Sequence, residues 1–192
     1  MIIKNLFPEI DLIMNEELRN KVTQALEKAI NLGGWDEKDL HSIPFTLLIP
    51  ELIEENLTPK ISIIDHIRAV TQMCIATYEK YEKLGLGDNL NKDELVAGGL
   101  LHDVGKFVEY ERDANSRIIQ NAAGKILRHP AQGLELVYEF DLPLAVKQAI
   151  IFHSKEGDKI NRLPEVEIIH RCDFLCFEPV KKIYEHKKTE RV

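Results

Sequence analysis

His66, the adjacent pair His102 and Asp103, then His129, His153 and Asp173 follow one another in the stretches IIDHIRAV, GGLLHDVGKF, ILRHPAQG, AIIFHSKEG and IIHRCDFL. Imidazole and carboxylate groups are donors for divalent Fe, Mn, Co, Ni or Zn, and a mixed nitrogen and oxygen set does not choose among them. Singly, each residue has an ordinary explanation. A lone histidine on an apolar face is more often a packed core residue, and an isolated aspartate can cap a helix or pair with an arginine. Together they are harder to explain, because a carboxylate among leucines is costly unless a charge compensates it. One divalent ion collected by several of these groups removes the anomalies at once. His66, His102, Asp103 and Asp173 could hold one metal; His129 and His153 could hold a second, with Asp103 bridging.

Within GGLLHDVGKF, Lys106 falls one turn beyond His102, where its ammonium could reach the same cavity and grip a phosphate. The alternative is a solvated lysine near a helix end. Gly98 and Gly99 each cost a helix interior about 1 kcal/mol against alanine. Gly99 either leaves room above the ligands or lets a neighbouring helix approach closely.

These residues need elements to position them, and the pattern is helical nearly throughout. Asn15 predicts a helix start running to Leu32, stopped by Gly33 and Gly34. The stretch 35–60, with Pro44, Pro50 and Pro59, is less regular, and PFTLLIP reads as a strand without a partner. Apolar spacing predicts a helix over 61–84, with Ile63, Ile67, Val70, Cys74, Tyr78 and Tyr81 on one face and Gly85 ending it. Further helices are expected over 93–107, 130–140, 143–153 and 164–177, the last three opened by Pro130, Pro143 and Pro164. Each contributes one or two candidate ligands. The fold class is all-α: a compact helical bundle over 61–180, preceded by an accessory helical region at 1–60 and followed by a basic tail at 181–192.

The 192 residues suit one compact domain, and 44% hydrophobic with 30% charged residues excludes a disordered chain. A net charge of −7 argues against a nucleic-acid polymer or an anionic membrane as partner, while leaving room for a small phosphorylated substrate at a local cationic site. No apolar run suits a membrane span, and the start resembles no signal peptide. Three cysteines, Cys74, Cys172 and Cys176, fit a reducing compartment, so a cytoplasmic protein is expected. Cys172 and Cys176 are expected in the core, and His170 in a supporting or surface role.

The ordered series of histidine, His-Asp pair, two histidines and aspartate on successive helices resembles the HD superfamily of metal-dependent phosphohydrolases, over about residues 61–180. That resemblance implies a helical fold around a metal centre. His66, His102, Asp103 and Asp173 would supply the common metal site, and His129 and His153 the second-metal ligands. The lysine of HDVGK, Lys106, is similar to one that contacts substrate phosphate in several members. The implied reaction is hydrolysis of a phosphate ester or anhydride, of a nucleotide or related metabolite, with Asp103 and Lys106 in catalytic roles. SKEGDK follows His153 where cyclic-dinucleotide phosphodiesterases carry a GYP signature, and VGKF stands in place of the acidic pair of alarmone hydrolases. Residues 1–60 match no named family and are expected to shape the pocket or a homodimer contact. Two other readings remain open: a di-iron oxygenase of similar ligand set, and a non-catalytic metal-binding sensor.

Overall fold

Capping side chains mark out four of the helix starts in the computed structural model, which describes residues 2–49 and 60–189. After a short α1 (Ile2–Leu6) and a tight 3-10 turn, Asn15 accepts from the Leu18 backbone N–H at 3.0 Å and opens α2 (Glu16–Leu32). Ser62 and Asp65 form a reciprocal capping box at the start of α3 (Ile63–Lys83). Asn91 caps α4 (Lys92–Leu101) through its side-chain oxygen, which accepts from the Glu94 backbone N–H at 3.2 Å. Pro50 and Pro59 lie outside the described residues. The described part of PFTLLIP, from Pro44 to Ile49, forms no strand, and Pro44 makes a single bridge to Ser62.

The helix expected over 93–107 is broken. α4 ends at Leu101, residues 102–105 form tight turns, and a short α5 (Lys106–Glu109) follows. The backbone switches to bonds three residues back, Val104 N–H to Leu101 and Lys106 N–H to Asp103. Packing enforces the change. A Cβ on Gly105 would lie 2.0 Å from the His129 carbonyl oxygen, so the chain here presses directly on the backbone that carries another candidate ligand. His102, Asp103 and Lys106 therefore converge from a turn rather than from one helical face.

A small antiparallel hairpin, β1 (Tyr110–Arg112) with β2 (Ile118–Gln120), comes next, joined by a turn in which Ser116 takes a positive φ. The sequence reading did not anticipate it. It leads into α6 (Ala122–Ile126), capped by Asn121, and then α7 (His129–Val137), where His129 rather than Pro130 is the first residue. α8 (Leu144–Phe152) follows Pro143. α9 (Pro164–Thr189) extends beyond the expected end at Phe177 and carries Pro179 in its interior, so residues 181–189 continue the helix. An internal proline removes a helix hydrogen bond, but here Phe177, Val180 and Tyr184 pack against buried Phe45 and Ile49, and that contact holds the continuation in place.

α4 is the central rod. Every residue from Leu95 to Leu101 is buried, with α3, α8 and α9 around it. A Cβ on Gly98 would lie 2.6 Å from Ile169 Cδ1, and one on Gly99 3.0 Å from Thr71 Oγ1 and 3.2 Å from its Cα. Close helix packing thus explains both glycines, and the space above the ligands does not. The main core joins Phe7, Val22 and Leu26 to Ile67, Leu100 and Phe107, so the N-terminal helices and the later bundle share it. Two polar ties reinforce this union. Buried Glu9 accepts from Arg68 Nε at 3.1 Å and Gln72 Nε2 at 2.7 Å, and Trp35 Nε1 donates to the Phe107 carbonyl at 2.7 Å.

Candidate metal centre

The bundle brings all the sequence-predicted ligands to one place. His66 comes from the first turns of α3, Asp173 from within α9, and the rest from helix ends: His102 and Asp103 after α4, His129 opening α7, His153 closing α8. Asp103 is the centre. Its Oδ2 lies 3.3 Å from His66 Nε2 and 3.5 Å from His102 Nε2, and its Oδ1 lies 3.2 Å from His129 Nε2 and 3.6 Å from His153 Nε2. Asp173 Oδ1 closes on His66 Nε2 at 3.1 Å and stands 3.9 Å from His102 Nε2. Two donor groups therefore share one carboxylate, His66–His102–Asp103 and Asp103–His129–His153, all buried and each compact enough to hold a metal ion.

Outer hydrogen bonds fix the tautomers. His102 Nδ1–H donates to the Gly99 carbonyl at 2.7 Å, and His153 Nδ1–H donates to the carbonyls of Ala149 at 2.9 Å and Ile150 at 3.1 Å. A carbonyl has no proton to give, so Nδ1 must carry it, and in the neutral ring the Nε2 lone pair points inward. His129 Nδ1 is held in the same sense by the Glu109 carboxylate at 3.1 Å, itself fixed by Gln120 Nε2 at 2.7 Å. His66 Nε2 and His102 Nε2 face each other at 3.4 Å. Lone pairs and carboxylate oxygens converging in this way require either protons or a cation between them, and the donor set suits a divalent ion.

The charges agree with this picture. Burial pushes the Asp103 carboxyl up, but Lys106 and His102 outweigh it and hold it well below the usual carboxylate range. Burial likewise opposes ionisation of Asp173, which its hydrogen bond to His66 and the neighbouring His102 drive strongly down. His66 is lowered by burial and raised by its bonds to Asp103 and Asp173, with a net rise; at His153 burial wins and the value falls. Lys106 is buried, yet Asp103 holds its pKa above the ordinary lysine range.

Lys106 is less free than a phosphate-gripping lysine would need to be. Its ammonium donates to Asp103 Oδ2 at 2.6 Å and to the Phe45 carbonyl at 2.7 Å, which leaves one of its three protons. His170 stays outside the ligand cluster and instead donates from Nδ1 to the His153 carbonyl at 2.5 Å. Sequence reasoning missed Glu109 and Gln120, whose roles depend on the hairpin. It also missed Lys125, Arg128 and Lys155, although Arg128 immediately precedes His129 and Lys155 follows His153 by two positions.

A cavity of about 700 Å³ opens over the centre, with His66, Asp103, His129, His153 and Asp173 on its floor. Phe45, Leu47, Phe174 and Phe177 line part of its wall, and Lys125, Arg128, Lys155 and Lys181 supply positive charge.

Residues 63–177 match the family described as HD domain. The chain belongs to the HD-domain family. HD domains bind divalent metals, in keeping with the two donor groups that meet at Asp103. This HD chain is 28% identical over 167 residues to the dihydroneopterin 2',3'-cyclic phosphate phosphodiesterase of Methanocaldococcus jannaschii. The alignment covers 84% of the chain and 63% of that relative's length. No solved structure matches the HD chain. Among the described residues, no helix is long and apolar enough to cross a membrane.

Proposed function

We propose that the chain is a metal-dependent phosphohydrolase that cleaves a phosphate ester or anhydride of a small molecule, a nucleotide or a related phosphorylated ring compound. The observation that carries this reading is a single buried carboxylate, Asp103, shared by two histidine groups on the floor of a cavity large enough for such a ligand. The similarity to a phosphodiesterase acting on a pterin cyclic phosphate supports both the reaction class and a flat ring as the body of the substrate. Phe174 and Phe177, half-buried along one wall, are suited to receive such a ring.

Divalent ions of Fe, Mn, Co or Ni, held by His66, His102, Asp103 and Asp173 on one side and by Asp103, His129 and His153 on the other, would lower the pKa of a bound water toward about 7 and polarise phosphoryl oxygens. Asp103 is held ionised by Lys106 and presents one oxygen to each histidine group. Glu109 keeps the proton of His129 on Nδ1, so that Nε2 faces the centre as a donor. Lys106 retains its charge beside the carboxylate, where it balances negative charge gathering near the phosphorus. Tyr110 lines the same cavity, and burial pushes its phenol up to about 12, so it stays a proton donor at neutral pH. The three free cysteines fit the reducing conditions of a cytoplasm.

The test is reconstitution of the purified protein with each metal, followed by a screen of phosphomonoesters, phosphodiesters and nucleotides for product release. Metal-dependent turnover that disappears in Asp103→Asn is expected. Iron-dependent dioxygen consumption without phosphate-bond cleavage would contradict the proposal.

A further inference from the structure

In a protein with net charge −7, the cavity rim beside the His129 and His153 group is strongly cationic. Lys125 lies on α6, Arg128 immediately precedes α7, and Lys155 sits in the turn after α8; all three are exposed and line the cavity whose floor holds the candidate ligands. None of them forms an ion pair with Asp103 or Asp173, unlike Lys106, so they stand outside the ligand cluster. Arg128 donates to Glu156 Oε1 at 2.5 Å, while the Lys125 and Lys155 ammonium groups have no ion-pair partner among the described residues. Glu109, the carboxylate on this side of the cavity, is already engaged by His129 and Gln120. Lys181, the lining lysine on α9, differs: Glu178 lines the cavity with it and Glu185 lies 4.0 Å from its ammonium.

The Lys125 and Lys155 ammonium groups, without an ion-pair partner among the described residues, and the Arg128 guanidinium repel one another, and a multiply charged anion would relieve that repulsion. The reacting phosphoryl group does not need them, since the metal-ligating groups on the floor of the site would receive it. We infer that Lys125, Arg128 and Lys155 form a second anion subsite, which takes a further phosphoryl group on the substrate, so that the preferred substrate is a diphosphate, polyphosphate or bisphosphate rather than a simple monoester. The assignment of the reacting group to the floor rests on the phosphohydrolase reading. The subsite itself is a property of the rim and can be probed by binding alone.

The experiment is calorimetric titration of the metal-loaded protein with inorganic phosphate and with methylenediphosphonate, which carries two phosphoryl groups and cannot be hydrolysed. Metal retention is checked by elemental analysis after each titration. Wild type is expected to bind methylenediphosphonate about tenfold or more tightly than phosphate, from a few exposed charge-assisted contacts acting together. In Lys125→Gln/Lys155→Gln the preference should fall to about threefold or less, with the affinity for phosphate, the metal content and the thermal midpoint unchanged. A preference of the same size in both proteins would assign it to the metal centre and overturn the subsite, and so would the absence of any preference in wild type. Loss of the preference in the variant, in a protein that hydrolyses no phosphate compound, would keep the subsite and strike the hydrolase reading alone.

Discussion

Around Oδ2 of Asp103 the protein gathers His66, His102 and Lys106, with Asp173 closing on His66; around Oδ1 it offers His129 and His153. On the Oδ2 side, His66, His102 and Asp103 form one compact donor group and Asp173 reaches His66 Nε2 at 3.1 Å, with His66 and Asp173 on the long, well-packed α3 and α9 and the other two just after the central α4. The Oδ1 side has three donors, and one of them, His129, depends on a carboxylate and an amide brought in by a short hairpin. Fewer protein donors leave more coordination positions for water and substrate, the usual difference between a holding site and a reacting one. The cationic rim lies on the Oδ1 side as well. The comparison teaches that both halves open to the same cavity, but one is anchored on the long core helices and the other on helix ends, one of them steadied by the hairpin.

The most damaging way to break the comparison is to remove the residue both halves share. Asp103→Asn should abolish metal binding and turnover together, as read by elemental analysis and activity. Asp103→Ala should in addition cost about 3–5 kcal/mol in chemical denaturation, because it leaves the Lys106 charge buried without its partner. Retention of a full metal complement by Asp103→Asn would mean that the halves are independent.

Next come substitutions on one side only. His102→Ala should lose the more tightly held metal, whereas His129→Ala should lose the weaker one and leave the other in place; chelator titrations distinguish the two. Glu109→Gln sharpens the contrast further, since it keeps the shape but weakens the hold on His129. Metal affinity on the Oδ1 side should drop about 10- to 100-fold, with the Oδ2 side unaffected. The smallest effect belongs to Gly99→Ala, where the new Cβ presses on Thr71. Thermal denaturation should show a loss of about 1–3 kcal/mol, while metal content stays at the wild-type level.

The convergence of the candidate ligands was legible in the sequence because donor residues retain their chemistry whatever surrounds them, and the helix starts were legible because Asn15 and the proline before α8 act locally. The break after Leu101 was not. GGLLHDVGKF reads as a continuous helix, and only the pressure of Gly105 on the α7 backbone, a contact between distant segments, turns the chain. Glu109 was hidden for the same reason, since its link to His129 depends on a turn and a hairpin whose strands are three residues each. The expected end of the last helix near Phe177 is overridden by packing of α9 against Phe45 and Ile49, which carries the helix past Pro179. Lys106 was expected to reach the cavity from one turn beyond His102, and it does line it, but its bonds to Asp103 and to the Phe45 carbonyl lay beyond any reading of spacing.

The most direct test is the metal stoichiometry of the reconstituted protein as chelator is increased, for wild type and His129→Ala in parallel. Two unequal sites joined by Asp103 predict about two equivalents lost in two separate steps from wild type, with the earlier step absent in His129→Ala. A single equivalent lost in one step, the same in both proteins, would contradict the account.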